Sequence, residues 1–229
     1  MKSITIKKSI ALFLFAGSLA TIQAQDGSSL TMVSWNKQPA VHQVVDKHQN
    51  ESAVILFDSR RIEYIDNGDK LEQYRTLHKL IHINDDRGIE AFNKIYLDVS
   101  DNADIRDIKA RTILPGGRII EIDKSNIKDI QEKDRSYKIF AMEGVQKGCE
   151  IEFYYTYKVP VNYFGRETLQ GSFPVVKSGV EIVAPERLVF EIKPFNDIEK
   201  ATDTVKDKKR IVSVSGENIV AAEDEKYSA

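Results

Sequence analysis

The sequence of 229 residues contains one cysteine, Cys149, so no internal disulfide can form and the fold must rest on a hydrophobic core. It has no G-x-S-x-G elbow, no P-loop and no dinucleotide-binding glycine run, which removes the commonest sequence signatures of hydrolase, NTPase and Rossmann chemistry. Charge of one sign is also missing. Thirty-three Lys and Arg are interspersed with 35 Asp and Glu, for a formal net charge of −2. With no basic stripe, nucleic acid is not an expected partner. The one sustained apolar run, Ser9–Ile22, is too short and wrongly flanked for a membrane span.

That run instead reads as the centre of a signal peptide. Lys2, Lys7 and Lys8 precede it and small residues follow it, with Ala24 and Ala20 as competing cleavage sites. No cysteine follows either site to accept a lipid. The expectation is an exported protein, periplasmic or extracellular after cleavage. Residues 1–24 would be the signal peptide, 25–51 a lead-in with a short helix over 39–49, 52–222 one β-domain, and 223–229 a mobile tail or the start of a linker.

What the chain does have is period-two alternation. In "CEIEFYYTY" Cys149, Ile151, Phe153, Tyr155 and Tyr157 share one face, and Glu150, Glu152, Tyr154 and Thr156 the other. "NKIYLDV", "RDIKARTIL" and "RLVFEIK" alternate in the same way, so each predicts a strand with one buried and one wetted face. Turn chemistry separates them. Asn67-Gly68 is a hairpin signal, and Pro115-Gly116-Gly117 supplies a preset φ followed by residues that accept a positive one. "NDDRG" reads as a break and "SNIKDIQEKDRS", residues 125–136, as a loop or single turn. After Pro194 a charged stretch precedes two small strands, "IVSVS" and "NIVA". The fold class predicted is all-β, an antiparallel β-sandwich with Greek-key-like connections and little helix.

The run from "SAVILFDSRRIEYIDNGDKLEQYRTLHKLIHI" through "IKARTILPGGRIIEI" to "GVQKGCEIEFYYTYKV" resembles a domain of unknown function found in exported bacterial proteins, especially of the Bacteroidetes. The shared features are a paired-strand start, a "PGG" turn before an apolar strand, and the strand that follows Gly148. The resemblance covers roughly residues 52–222. It implies a β-sandwich module that precedes a transglutaminase-like core, and it carries over no catalytic residue, because that family's Cys, His and Asp lie in the core. The sequence stops at Ala229, about where a linker to such a core would begin. It is either a standalone relative or a chain that continues.

Few residues compete for a chemical role. Cys149 opens a strand among apolar neighbours, away from the helix start and histidine that activate a thiolate, so it reads as structural. "HKLIH" places His78 and His82 four apart, but on a strand that is roughly 13 Å, too far for one zinc. Asp98, Asp101, Asn102 and Asp104 lack the glycine and distal Glu of a calcium loop and read as solvated. No cofactor is expected. The remaining candidates are aromatic: Tyr154 on the polar strand face, Tyr163 and Phe164 in the loop "VPVNYFGRE", and lone Trp35 near the start. The expectation is a non-catalytic exported module that positions a catalytic domain or binds a partner, the alternative being a glycan- or peptide-binding module in its own right.

Overall fold

The computed structural model describes residues 29–222 except 44–45, 98, 100–103, 133–134, 197 and 199. The expected signal peptide, the tail and most of the acidic run at 98–104 lie outside the described residues. Two sheets form the domain. The strands are β1 (Ala53–Asn67), β2 (Lys70–Ile83), β3 (Lys94–Leu97), β4 (Asp104–Ile113), β5 (Ile119–Ile122), β6 (Ile127–Glu132), β7 (Arg135–Ala141), β8 (Glu150–Val159), β9 (Val175–Pro185), β10 (Thr202–Lys206) and β11 (Lys209–Ile219), with one α-helix, α1 (Asp86–Phe92).

Eight strands in the order β10-β11-β9-β1-β2-β8-β4-β5 make the large sheet, and β3-β7-β6 the small one. The fold is therefore all-β. The β1–β2 hairpin turns at Asn67–Lys70, where Gly68 takes a φ of +62°. One pair is not antiparallel: β9 lies parallel to β1, with Ile55 opposite Val175. Since β8 points the same way as β1 and lies two strands from it, the chain leaving β8 must return the length of the sheet before β9 starts. Residues 160–174 are that return. They are fastened by Glu167, whose carboxylate accepts from Arg60 of β1 at 3.0 Å and from Arg75 of β2.

The core lies between the sheets. Ile81 of β2, Ile108 and Ala110 of β4, Cys149 just before β8, and Ile151, Phe153 and Tyr155 of β8 pack against Ile95 and Leu97 of β3 and Phe140 of β7. Opposed residues of neighbouring strands share a face, so Ile81, Ile151 and Thr112 line this inner face while His82, Glu150 and Ile113 lie on the outer one.

Five sequence expectations are corrected. The stretch 39–49 forms no α-helix among its described residues, only a 3₁₀ turn at Asp46–His48. "NDDRG" is not a plain break but the start of α1: Asp85 caps it by accepting from the Gly88 N–H at 3.0 Å, and a Cβ on Gly88 would sit 2.1 Å from the Ser52 carbonyl oxygen. The polar 125–136 stretch holds all of β6 and the start of β7, because the small sheet needs only one apolar face. Conversely, "RLVFEIK" is not a strand. Both edges of β9 are taken, by β1 and by β11, and the alternating segment that follows it does not pair there. The two small strands expected near the end are one, β11, and the charged stretch before them contains β10.

Candidate functional site

The outer face of β8 was expected to be wet, and it is not. Glu150 is 0% exposed and Tyr154 1%, with Glu152 and Thr156 also buried. Two things cover them: side chains of β2 and β4 on the same face, and an extended strap, residues 29–43, laid across the sheet from far away in sequence.

Cross-strand register builds the polar layer. Leu80 of β2 and Arg111 of β4 stand opposite Glu152, and His78 and Lys109 stand opposite Tyr154. The Glu152 carboxylate accepts from Arg111 Nε at 2.8 Å and from Arg111 Nη2 at 2.5 Å, and it meets His78 Nε2 at 2.9 Å. Burial pushes this carboxyl upward, but His78 and the Arg111 guanidinium outweigh it and hold it below the usual carboxylate range. Glu150 follows the same logic. Burial raises it, while His82 at 3.6 Å and the main-chain N–H and ring of His42 bring it down on balance. That 3.6 Å separation is too long for a hydrogen bond, and His82 Nδ1 is buried without a hydrogen-bond partner among the described residues. The Tyr154 hydroxyl donates to Asp107 Oδ2 at 2.6 Å, and burial with that carboxylate raises its pKa.

The strap closes the layer. Thr31 donates its N–H and hydroxyl to Glu63 of β1, the hydroxyl at 2.6 Å. Trp35 lies with its ring centroid 4.1 Å from the Arg111 guanidinium carbon and 5.3 Å from the Tyr154 ring. The next carbonyl, Asn36 O, accepts from Arg111 Nη1 at 2.6 Å, and the His42 N–H donates to Glu150 Oε1 at 2.7 Å.

Tyr154 is thus a buried member of this layer and does not face solvent. Tyr163 and Phe164 are elsewhere. Tyr163 stacks on Tyr64, with centroids 6.0 Å apart and planes within 5°. Tyr64 in turn stacks on Phe190 and donates to the Asn162 carbonyl. Phe164 beside them is 86% exposed. Tyr64 lies opposite Gln73, whereas its neighbour Glu63 shares the Tyr154 face, so the three predicted aromatics occupy opposite faces of the sheet. Trp35 joins Tyr154 and not the loop.

The other candidates are placed plainly. Cys149 is 0% exposed, its thiol is pushed up by burial, and its sulfur accepts from the Gln146 N–H at 3.4 Å. His78 and His82 point to the same face but serve different glutamates. Among the described residues no group of three or more His, Cys, Asp or Glu is placed to hold a metal ion. Sequence reading missed Glu63, Arg111, Glu150 and His42 as a set. The one signal for the three strand residues was charge within a strand, which does not say what pairs with what, and nothing marked His42 of the strap.

Comparison with solved structures places the architecture. A proposed protease from Parabacteroides distasonis superposes with a TM-score of 0.63 at 16% identity, over 78% of this chain and 38% of that one. The chain therefore spans about two fifths of that protein. An M1 zinc metallopeptidase from Deinococcus radiodurans aligns with a TM-score of 0.37 at 9% identity over 72% of this chain and 39% of its own, and native yeast LTA4 hydrolase with 0.40 at 8% over 72% and 29%. No curated protein matches the sequence. The family model of the domain of unknown function with a solved structure, DUF3857, matches residues 69–223, well over half of the sequence, and the chain belongs to that family.

Proposed function

We propose that this is an exported, non-catalytic β-sandwich module that positions a catalytic domain, of transglutaminase-like type by the sequence resemblance, or binds a partner chain. One observation carries the reading. Among the described residues, the two glutamates of β8 and the lone cysteine are engaged or sealed: Glu150 and Glu152 are buried against histidine and arginine under the strap, and Cys149 is sealed in the core with a raised pKa. The length relation to the Parabacteroides protein supports a module within a larger architecture, and the N-terminal sequence supports export.

The test is turnover. The purified chain is incubated with a casein substrate for proteolysis and for amine incorporation, beside Cys149→Ala. No activity above blank is expected in either. Turnover that disappears in Cys149→Ala would overturn the reading. The mass of the native protein recovered from outside the cytoplasm checks export, and reading the coding frame past Ala229 shows whether a core follows.

A second reading has its own observation. Phe164 and Tyr163 form an exposed aromatic surface braced on buried Tyr64, the kind of platform that stacks on a sugar ring or peptide side chain. A rise in melting temperature with a glycan or peptide, lost in Phe164→Ala, would favour it.

A further inference from the structure

The strap is held in an unusual way for a segment that covers buried charge. It joins no sheet ladder, and most of its residues are exposed, Met32 and Ser34 included. Its attachments are few and are addressed mainly to backbone. Glu63 receives the Thr31 N–H, Arg111 gives to the Asn36 carbonyl, and Glu150 receives the His42 N–H. All three anchors are almost fully buried side chains rooted in central strands. Side-chain identity is read by the Thr31 hydroxyl on Glu63 and the His42 ring on Glu150, and by a ring pocket at one point, where Trp35 fits between Arg111, His78 and Tyr154. Main-chain hydrogen bonds for affinity and one aromatic pocket for selection are the working parts of an extended-peptide site.

We infer that the outer face of β1, β2, β8 and β4 is a tryptophan-anchored peptide-binding groove, filled in this structure by the chain's own residues 29–43 and able to take an extended peptide of the same chemistry from another protein. This rests on the partner-binding reading above and names where and what the module binds. The anchors define the occupant. It needs a main-chain N–H, a tryptophan four residues on, a carbonyl at the next residue and a second N–H six residues after that, as Thr31, Trp35, Asn36 and His42 supply. Most of the residues between are exposed, with Val33 and Pro39 partly buried. Opening without a replacement is costly, because Glu63 and the part of Arg111 not held by Glu152 lose their strap partners and Glu150 is left with His82 alone. Exchange for an equivalent segment is the low-cost route. A tethered occupant competes at an effective concentration in the millimolar range, so an incoming peptide must meet a weakened strap or bind better than it.

The experiment uses the whole chain and a fluorescein-labelled synthetic peptide of residues 29–43, read by anisotropy. Trp35→Ala weakens the resident strap and leaves the groove intact. The peptide should bind this variant at a concentration at least tenfold lower than wild type, and a peptide with its tryptophan replaced by alanine should not bind. His42→Pro, which removes one strap N–H and the ring that meets Glu150 and alters no sheet residue, is the second variant should Trp35→Ala fail to fold. It should show the same gain to a smaller degree. Folded variants that ignore the peptide at millimolar concentration, or bind it equally well without tryptophan, overturn the groove. So does displacement of the bound peptide by a soluble glycan as readily as by unlabelled strap. None of these results bears on turnover, so failure here is distinct from failure of the non-catalytic reading.

Discussion

The two faces of the large sheet are sealed by opposite means. The inner face closes by apolar area: Ile81, Ile151 and Phe153 meet Ile95, Leu97 and Phe140 of the small sheet, a contact that is non-directional and cooperative. The outer face closes by a handful of directional contacts between buried charges and an extended strap. Burial by area resists local opening, because many residues must separate together. Burial by a few anchors does not, and such segments open well below the global unfolding free energy. The inner face makes the domain stable, and the outer face is where it can exchange one contact for another.

The sharpest way to break the comparison is to cut each seal. Phe140→Ala removes a 1% exposed ring from the inner seam and should cost about 3–5 kcal/mol in urea unfolding, with the whole domain losing stability together. Arg111→Leu should cost somewhat less, about 3 kcal/mol, because Glu152 keeps His78 but loses its guanidinium partner. Here a second substitution distinguishes the mechanisms. Adding Glu152→Leu should recover more than half of the loss, since an apolar pair needs no partner, whereas no second change rescues the Phe140 cavity. If Arg111→Leu/Glu152→Leu is no better than the single variant, the layer is held by packing and not by charge matching.

How much of this was legible in the chain follows the same division. Alternation sorted β8 correctly into two faces, and Cys149, Ile151, Phe153 and Tyr155 are all in the core. It mistook the other face for solvent because the cover is not local: Glu150 meets His42 across 108 residues, and no pattern within a strand encodes that. "RLVFEIK" shows the converse. Its alternation is real, but a strand needs a free edge, and β9 had none. Helix α1 was missed because its cap, Asp85, and its tight Gly88 are the same residues that mark a turn. In the site, Tyr163 and Phe164 could be placed on a loop from composition alone. Tyr154 could not be placed, since its burial depends on Trp35.

Acid should separate the faces without any mutation. Both Glu150 and Glu152 are held below their ordinary range when folded, although burial alone would raise them. A group with a lowered folded pKa contributes stability that is fully present above its unfolded value, about 4.3 for glutamate, and is lost as pH falls through the folded one. Stability contributed by these two should therefore be flat from pH 7 down to about 5 and decline below about 4. Glu150 faces His42 of the strap and His82 of β2, while Glu152 faces Arg111 of β4 and His78 of β2. Amide exchange measured at pH 7 and pH 3.5 should show the strap losing protection before the inner strands do. Equal loss in both would mean that the outer seal is no weaker than the core.

The smallest effect should belong to Trp35→Ala on global stability. The indole is half-buried, and its contact with Arg111 at 4.1 Å is a cation–π pairing worth on the order of 1 kcal/mol. The ring is not in the inner core, and the sheet beneath it keeps its ladder. Urea unfolding should therefore shift by about 1 kcal/mol or less, within reach of an ordinary surface substitution. Exchange of the amides at residues 29–43 should nonetheless speed up at least tenfold, because the ring is the strap's principal side-chain anchor. A large global loss with unchanged strap exchange would reverse the assignment and make the strap part of the core. A small global loss with fast strap exchange shows that the outer seal opens on its own, independently of the fold beneath it.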